Sequence, residues 1–107
     1  VYDWEIIYDD TARTDNVSVD VLTDCCVAFC ETIRNAGYTP MIYQNKRTTI
    51  FKLDLNRLTD YDFWLAEYGS EPTYYYDFDM WQYTSTGSVP GIEGDVDLNI
   101  SFKDYSK

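Results

Sequence analysis

The sequence predicts a single α/β domain in which strands outnumber helices. One amphipathic helix near the N-terminus lies between two apolar, strand-like segments, and further short apolar segments continue to the C-terminus. A strand, a helix and a second strand form a βαβ unit, whose two strands run parallel. The predicted order, β-α-β-(x)-β-β-β, has too few strands to close a barrel of eight. The 107 residues are enough for one hydrophobic core.

The first half of the chain carries the clearest elements. The first strand is predicted from Val1 to Tyr8, and a polar loop, DDTARTDN, follows it. A helix is predicted from Val19 to Asn35. It is expected to end at Ala36 and Gly37, because glycine readily adopts the left-handed conformation that terminates helices. Residues 38–45, YTPMIYQN, form the next strand. The apolar residues at the helical period are Val19, Leu22, Cys26, Phe29, Cys30 and Ile33.

The second half consists mainly of strands. Residues 46–58 are ambiguous between a short helix and an irregular segment. Residues 61–69, YDFWLAEYG, predict a third strand in which Phe63 and Leu65 alternate with Trp64 and Ala66. After a tyrosine-rich loop, residues 80–87, MWQYTSTG, predict a fourth strand, and a fifth follows around Val96 to Ile100. No repeat or linker interrupts the chain, so residues 1–107 are predicted to form one domain or part of one.

The composition limits the function classes. The net charge is −11, from 19 acidic against 8 basic residues, which argues against nucleic acid or an anionic membrane as partner. The chain has no histidine, so any catalysis must use carboxylates, tyrosines or cysteines. No apolar run is long enough for a transmembrane helix, and the start has no basic region typical of a signal peptide. Aromatic residues make up 18%, which suits stacking on sugars, an aromatic-rich core or a protein interface.

The three cysteines fall within six residues of the predicted helix. Cys26 and Cys30 share a helix face at i, i+4, where a regular helix rarely permits disulfide geometry. We therefore predict that Cys25, Cys26 and Cys30 are small buried hydrophobic residues. With no histidine, three cysteines cannot form a tetrahedral zinc site of the usual kind.

Two acids near the N-terminus, Asp3 and Glu5, flank Trp4 within the first predicted strand. Residues two apart on a strand point to the same face, roughly 6–7 Å apart, so these carboxylates are expected to be neighbours. Such a pair can supply a general acid beside a second carboxylate. The alternative is that both acids lie on the solvated face of a half-exposed strand.

The ordered series YDWE, FCETIRNAGYTPMIYQN, FWLAEYG and MWQYTSTGSVPGIEGDVDLN resembles the C-terminal part of the family-25 glycoside hydrolases, the muramidase-type lysozymes of bacteria and phages. The resemblance implies a modified β/α (TIM-like) barrel with few helices among its last strands. It places this chain at about strands four to eight, as a partial catalytic domain without the N-terminal strands. The implied reaction is cleavage of the β-1,4 bond between N-acetylmuramic acid and N-acetylglucosamine in peptidoglycan, without a metal or other cofactor.

Residue by residue, the resemblance implies a set of roles. Glu5 would be the general acid, and Asp3 would orient and stabilise the substrate's 2-acetamido group. Asp97 would face the same cleft, and the resemblance favours this over the alternative of a turn-forming aspartate. The neighbouring Asp95 is expected to lie in an exposed loop. The residues that would line the sugar cleft are Tyr43, Trp64, Trp81 and Gln82; as an alternative, either tryptophan could simply fill the barrel.

The same resemblance implies a setting. The partner would be the glycan strand of peptidoglycan, and the protein would be secreted or associated with the cell wall, of bacterial or phage origin. A further family acid, on the first barrel strand, has no counterpart here, so the cleft would lack one wall. We therefore also expect pairing with the absent N-terminal half or with a second copy. The competing hypothesis is a non-catalytic module that binds wall glycan or forms oligomers.

Overall fold

The computed structural model describes residues 1–5, 17–74 and 76–106, and within them a five-stranded sheet carries helix α1 on one face. The order of strands in the sheet follows the chain. The first four strands are parallel, which confirms the predicted βαβ unit, and the fifth runs antiparallel to the fourth. The elements are β1 (Tyr2–Asp3), α1 (Val19–Asn35), β2 (Met41–Asn45), α2 (Lys46–Lys52), a 3₁₀ turn (Leu55–Arg57), β3 (Asp62–Ala66), β4 (Met80–Gly87) and β5 (Val96–Ser101).

Helix α1 has the predicted bounds because both of its ends are capped by local sequence. At the start, the Ser18 side chain accepts a hydrogen bond from the backbone N–H of Val21 at 3.3 Å. At the end, Gly37 has a φ of 91°, and its N–H donates to the Arg34 carbonyl at 3.0 Å. The N–H of Tyr38 donates to the Ile33 carbonyl at 3.1 Å, which completes a Schellman motif.

The main core lies between α1 and the sheet. It contains Leu22, Cys26, Cys30, Ile42, Leu53, Leu58, Tyr61 and Phe63. All three cysteines are free, as predicted, and Cys26 and Cys30 are completely buried. A hydrogen bond to Cys30, together with burial, raises the pKa of the Cys26 thiol, so it is an inert packing group. The expectation for Cys25 was wrong: it is exposed, because it lies one position off the apolar stripe.

The strand predictions differ mostly in length. Strand β4 has the predicted bounds, while β2 begins only after Pro40, whose nitrogen has no hydrogen to donate to a ladder. The ambiguous segment is a short helix followed by a 3₁₀ turn. Among the described residues of the predicted first strand, Tyr2 and Asp3 pair with β2. The Trp4 carbonyl instead accepts from Nε2 of Gln44 at 2.7 Å, and residues 6–8 of that prediction lie outside the described residues.

Within the described part of the chain, β1 and β5 are the outer strands of the sheet, and no closed barrel is seen. None of the described helices has the length and hydropathy needed to cross a bilayer. The expected pairing with a second copy, or with an N-terminal half, stays a prediction.

Candidate active site

The sheet register brings the predicted site residues to one face. Asp3 pairs with Tyr43 in the neighbouring strand, and Tyr43 pairs with Trp64 in the next. Residues paired across neighbouring strands point to the same side, and here that side faces away from α1. Trp64 pairs in turn with Met80, so Gln82, two residues later, lies on this face as well. Four strands, β1 to β4, therefore present side chains to one surface.

This surface forms a cavity of about 450 Å³ on the face of the sheet that points away from α1. Because β5 is antiparallel, its first residues lie beside the end of β4, which brings Asp97 to the cavity. Asp3 and Glu5 are both exposed, as the solvated-face alternative predicted, but they open into this cavity. Its lining consists of Val1, Asp3, Glu5, Tyr43, Trp64, Gln82 and Asp97.

Trp81 does not join the lining of this cavity, and its assignment to the sugar cleft stays a prediction. It precedes Gln82 in β4, and neighbouring residues of a strand point to opposite faces. Trp81 is 8% exposed and packs with Leu65 and Tyr74 in a second core cluster on the α1 side. Its indole Nε1 donates to the Glu67 carbonyl at 2.8 Å. These packing contacts favour the barrel-filling alternative for Trp81.

Tyr43 occupies the centre of the site. Its hydroxyl donates to Oε1 of Gln82 at 2.7 Å, and its ring meets Trp64 edge-on, with centroids 4.9 Å apart and planes at 75°. Burial is the largest cause that raises the pKa of Tyr43 to about 12, followed by repulsion from Tyr68 once it ionises and from the carboxylates of Glu5, Asp3 and Asp97. The hydroxyl therefore keeps its proton at neutral pH and remains a hydrogen-bond donor.

Two further residues, Tyr68 and Asn99, support the site and were not predicted from the sequence. The Tyr68 hydroxyl donates to the same Gln82 oxygen at 3.1 Å. The Trp64 indole Nε1 donates to Oδ1 of Asn99 at 2.7 Å, and Asn99 is the register partner of Gln82. Asn99 follows Asp97 by two residues, a spacing that places both on one face and could have indicated it. Tyr68 lies beyond the end of β3, where strand periodicity gives no guide.

The loop after β3 is fixed by a charged anchor. The Glu67 carboxylate accepts hydrogen bonds from the Thr73 N–H at 2.9 Å, from the Tyr74 N–H at 3.1 Å and from the Thr73 hydroxyl. Lys46 Nζ donates to that hydroxyl at 2.6 Å. Burial alone would raise the pKa of Glu67, but these hydrogen bonds outweigh it and lower that pKa. Glu67 is thus a charged structural residue beside the cleft.

A known family matches most of the chain. The model of the glycosyl hydrolases family 25 matches residues 1–92. The chain belongs to this family. The matched range includes five of the six predicted residues that line the cavity and ends before Asp97.

Individual relatives of this family-25 chain are bacterial and viral. It is 33% identical over 92 residues to an autolytic lysozyme of Clostridium acetobutylicum, covering 84% of this chain and 28% of that protein. It is 28% identical over 106 residues to a D-alanyl-L-alanine endopeptidase of Streptococcus phage B30, covering 87% of this chain and 23% of that protein. The chain thus spans about a quarter of the length of these relatives.

The family-25 chain also resembles a solved structure, that of the CTP1L endolysin. The TM-score is 0.63 at 29% identity, over 74% of this chain and 29% of the endolysin chain. The parallel α/β arrangement is therefore shared with a known lytic enzyme. Among the residues the structure describes, no group of three or more histidine, cysteine, aspartate or glutamate side chains is arranged to hold a metal ion.

Proposed function

We propose that this family-25 chain carries the acidic half of a peptidoglycan N-acetylmuramidase site, in which Glu5 protonates the leaving glycosidic oxygen. The observation that supports this most directly is the cavity shared by Asp3, Glu5 and Asp97 on the sheet face away from α1. Carboxylates are the general acids and stabilising groups of most glycosidases. In this proposal the sheet forms about strands four to eight of a β/α barrel.

The second carboxylate has a different role in the proposal. Asp3 accepts the N–H of the sugar's 2-acetamido group and stabilises the positive charge that develops when the acetamido oxygen attacks the anomeric carbon. Asp97 adds negative charge from the opposite wall. The ionised Asp3 and Asp97, joined by Glu5 as it gives up its proton, create a field that favours the oxocarbenium-like transition state over the neutral ground state.

The aromatic floor binds the glycan in this scheme. The edge-on contact of Tyr43 with Trp64 leaves Trp64 half-buried in the cavity lining. Its flat face can stack on the apolar face of a pyranose ring. Tyr43 and Gln82 supply polar groups nearby. Peptidoglycan glycan strands are therefore the proposed partner, with a bacterial or phage lytic protein at the cell wall as the proposed setting.

The second candidate function is a wall-glycan-binding or oligomerising module without catalysis. It is favoured by the same aromatic floor, and by the two outer strands of the described sheet, whose unpaired backbone groups can recruit a second copy. Peptide cleavage of the kind named for the phage relative is less suited to this chain, which contains no histidine for a cysteine or zinc peptidase.

The test is product analysis with the longest native polypeptide that contains this sequence. Purified peptidoglycan is digested, reduced with borohydride and analysed by mass spectrometry. The proposal predicts reduced N-acetylmuramic acid ends. Reduced N-acetylglucosamine ends or new amino termini would contradict it. Sedimentation with the wall without any cleavage would favour the binding module.

A further inference from the structure

The carboxamide of Gln82 is held in one orientation by two tyrosines. Oε1 accepts from the Tyr43 hydroxyl at 2.7 Å and from the Tyr68 hydroxyl at 3.1 Å. A carboxamide oxygen has two lone pairs, so these two donors saturate it. Gln82 is only 3% exposed, which prevents the amide from exchanging these partners freely with water.

Tyr68 is held in place by the backbone on both of its sides. The Glu67 N–H donates to the Gln82 carbonyl at 3.2 Å, and the Gly69 N–H donates to the Tyr83 carbonyl at 3.1 Å. The segment around Tyr68 therefore follows β4 beyond the end of β3. Tyr68 is 58% exposed, and its hydroxyl contacts Gln82, which lines the cavity.

We propose that Tyr43 and Tyr68 together position Gln82 so that its Nε2 donates to a neutral acceptor oxygen of a bound sugar. Nε2 carries two N–H donors and no lone pair, so it cannot be replaced by the carbonyl end of the same amide. The nearby acids Asp3, Glu5 and Asp97 disfavour an anionic acceptor. The acceptor is either an acetamido carbonyl or a ring hydroxyl. This inference deepens the proposed function and adds Tyr68 as a positioning residue.

Gln82→Glu is the sharpest variant because it keeps an oxygen for both tyrosines and replaces only the Nε2 donor. Calorimetry on the longest native polypeptide would use a β-1,4 N-acetylglucosamine oligosaccharide and a cello-oligosaccharide, which has a hydroxyl in place of the acetamido group. We expect about three- to tenfold weaker binding at neutral pH, the usual worth of one neutral hydrogen bond. Binding should recover at acid pH, as the introduced carboxyl gains a proton that it can donate.

The two ligands separate the two acceptors. Loss confined to the acetamido ligand assigns Nε2 to the acetamido carbonyl, and loss with both ligands assigns it to a hydroxyl. The double variant Tyr43→Phe/Tyr68→Phe should weaken binding more than the product of the single effects, because either phenol alone still orients the amide. Tyr38→Phe, which removes the same hydroxyl from a 70% exposed residue, is the matched control.

Unchanged affinity in Gln82→Glu with a wild-type melting temperature would overturn the inference. A wild-type protein that binds neither of the two ligands would overturn it as well. Gln82→Met keeps the length but has neither amide group, and equal binding by it would also overturn the inference. The binding readout does not depend on cleavage. Failure of this inference is therefore distinguishable from failure of the proposed muramidase activity.

Discussion

The indole of Trp64 in β3 and the carboxamide of Asn99 in β5 are joined by a 2.7 Å hydrogen bond that spans β4. This bond links the aromatic floor of the cavity to the only antiparallel strand of the described sheet. Asp97 lies two residues before Asn99 on the same strand. The position of Asp97 in the cavity is thus coupled to the position of Trp64.

Asn99→Ala tests this coupling. Removal of the carboxamide should loosen the start of β5 and lower turnover several-fold through Asp97, with at most about 1 kcal/mol lost in unfolding free energy. Turnover and denaturant unfolding would be measured on the same preparation. Asn56→Ala, in the exposed 3₁₀ turn, removes the same group far from the cavity and should change neither quantity. Equal turnover in both variants would show that the bond has no role in the site.

Glu5→Gln tests the general acid. Turnover should fall by roughly two to four orders of magnitude, the usual worth of acid catalysis, while glycan binding persists because the side chain keeps its shape. Peptidoglycan clearing and glycan sedimentation measure the two effects separately. Asp95→Asn, an exposed acid two residues before Asp97, is the matched control and should remain active. Near wild-type clearing by Glu5→Gln would exclude Glu5 as the acid.

Trp81 and Trp64 should respond in opposite ways. Trp81→Ala removes a buried side chain from the Leu65 and Tyr74 cluster and should cost about 3–5 kcal/mol of unfolding free energy. Trp81→Phe should be milder and bind glycan as the wild type does. Trp64→Phe should weaken glycan binding with a smaller loss of stability. A larger binding defect in Trp81→Phe than in Trp64→Phe would place Trp81 in the cleft.

The thiols should react in two phases. Cys25 is exposed and should react with a thiol reagent in the native protein, whereas Cys26 and Cys30 are completely buried and should react only on unfolding. Titration under native and then denaturing, non-reducing conditions counts both classes. Detection of a single thiol after denaturation would indicate a disulfide and contradict the helix-packing role.

Alkaline pH should destabilise the fold. Burial, first among its causes, raises the pKa of Tyr43 and of Tyr74 to about 12, against 10.0 for an ordinary tyrosine. Because the unfolded chain releases these protons first, their contribution to stability is complete below pH 10 and is lost as pH rises towards 12. Unfolding followed by far-ultraviolet circular dichroism should show this loss. Tyr74→Phe should reduce the slope with which the unfolding free energy falls as pH rises from 10 to 12. An unchanged slope would contradict the raised pKa of Tyr74.

The sequence by itself determined the local elements. The period of Leu22, Cys26 and Cys30 and the stop at Gly37 defined α1, because helix periodicity and capping depend on residues within a few positions of each other. The motif series also indicated the family, and it predicts Glu5, Asp97 and Tyr43 as site residues. The alternation of β4 already implied that Trp81 and Gln82 cannot both face the cleft.

Only the tertiary structure decided which residues meet. The register of β2, β3 and β4 set Tyr43, Trp64 and Gln82 on one surface, because strand pairing is a long-range choice that no local pattern contains. The reach of Tyr68 to Gln82 depends on a segment that continues along β4 after β3 has ended. The bond from Trp64 to Asn99 depends on an antiparallel strand whose direction the sequence left open.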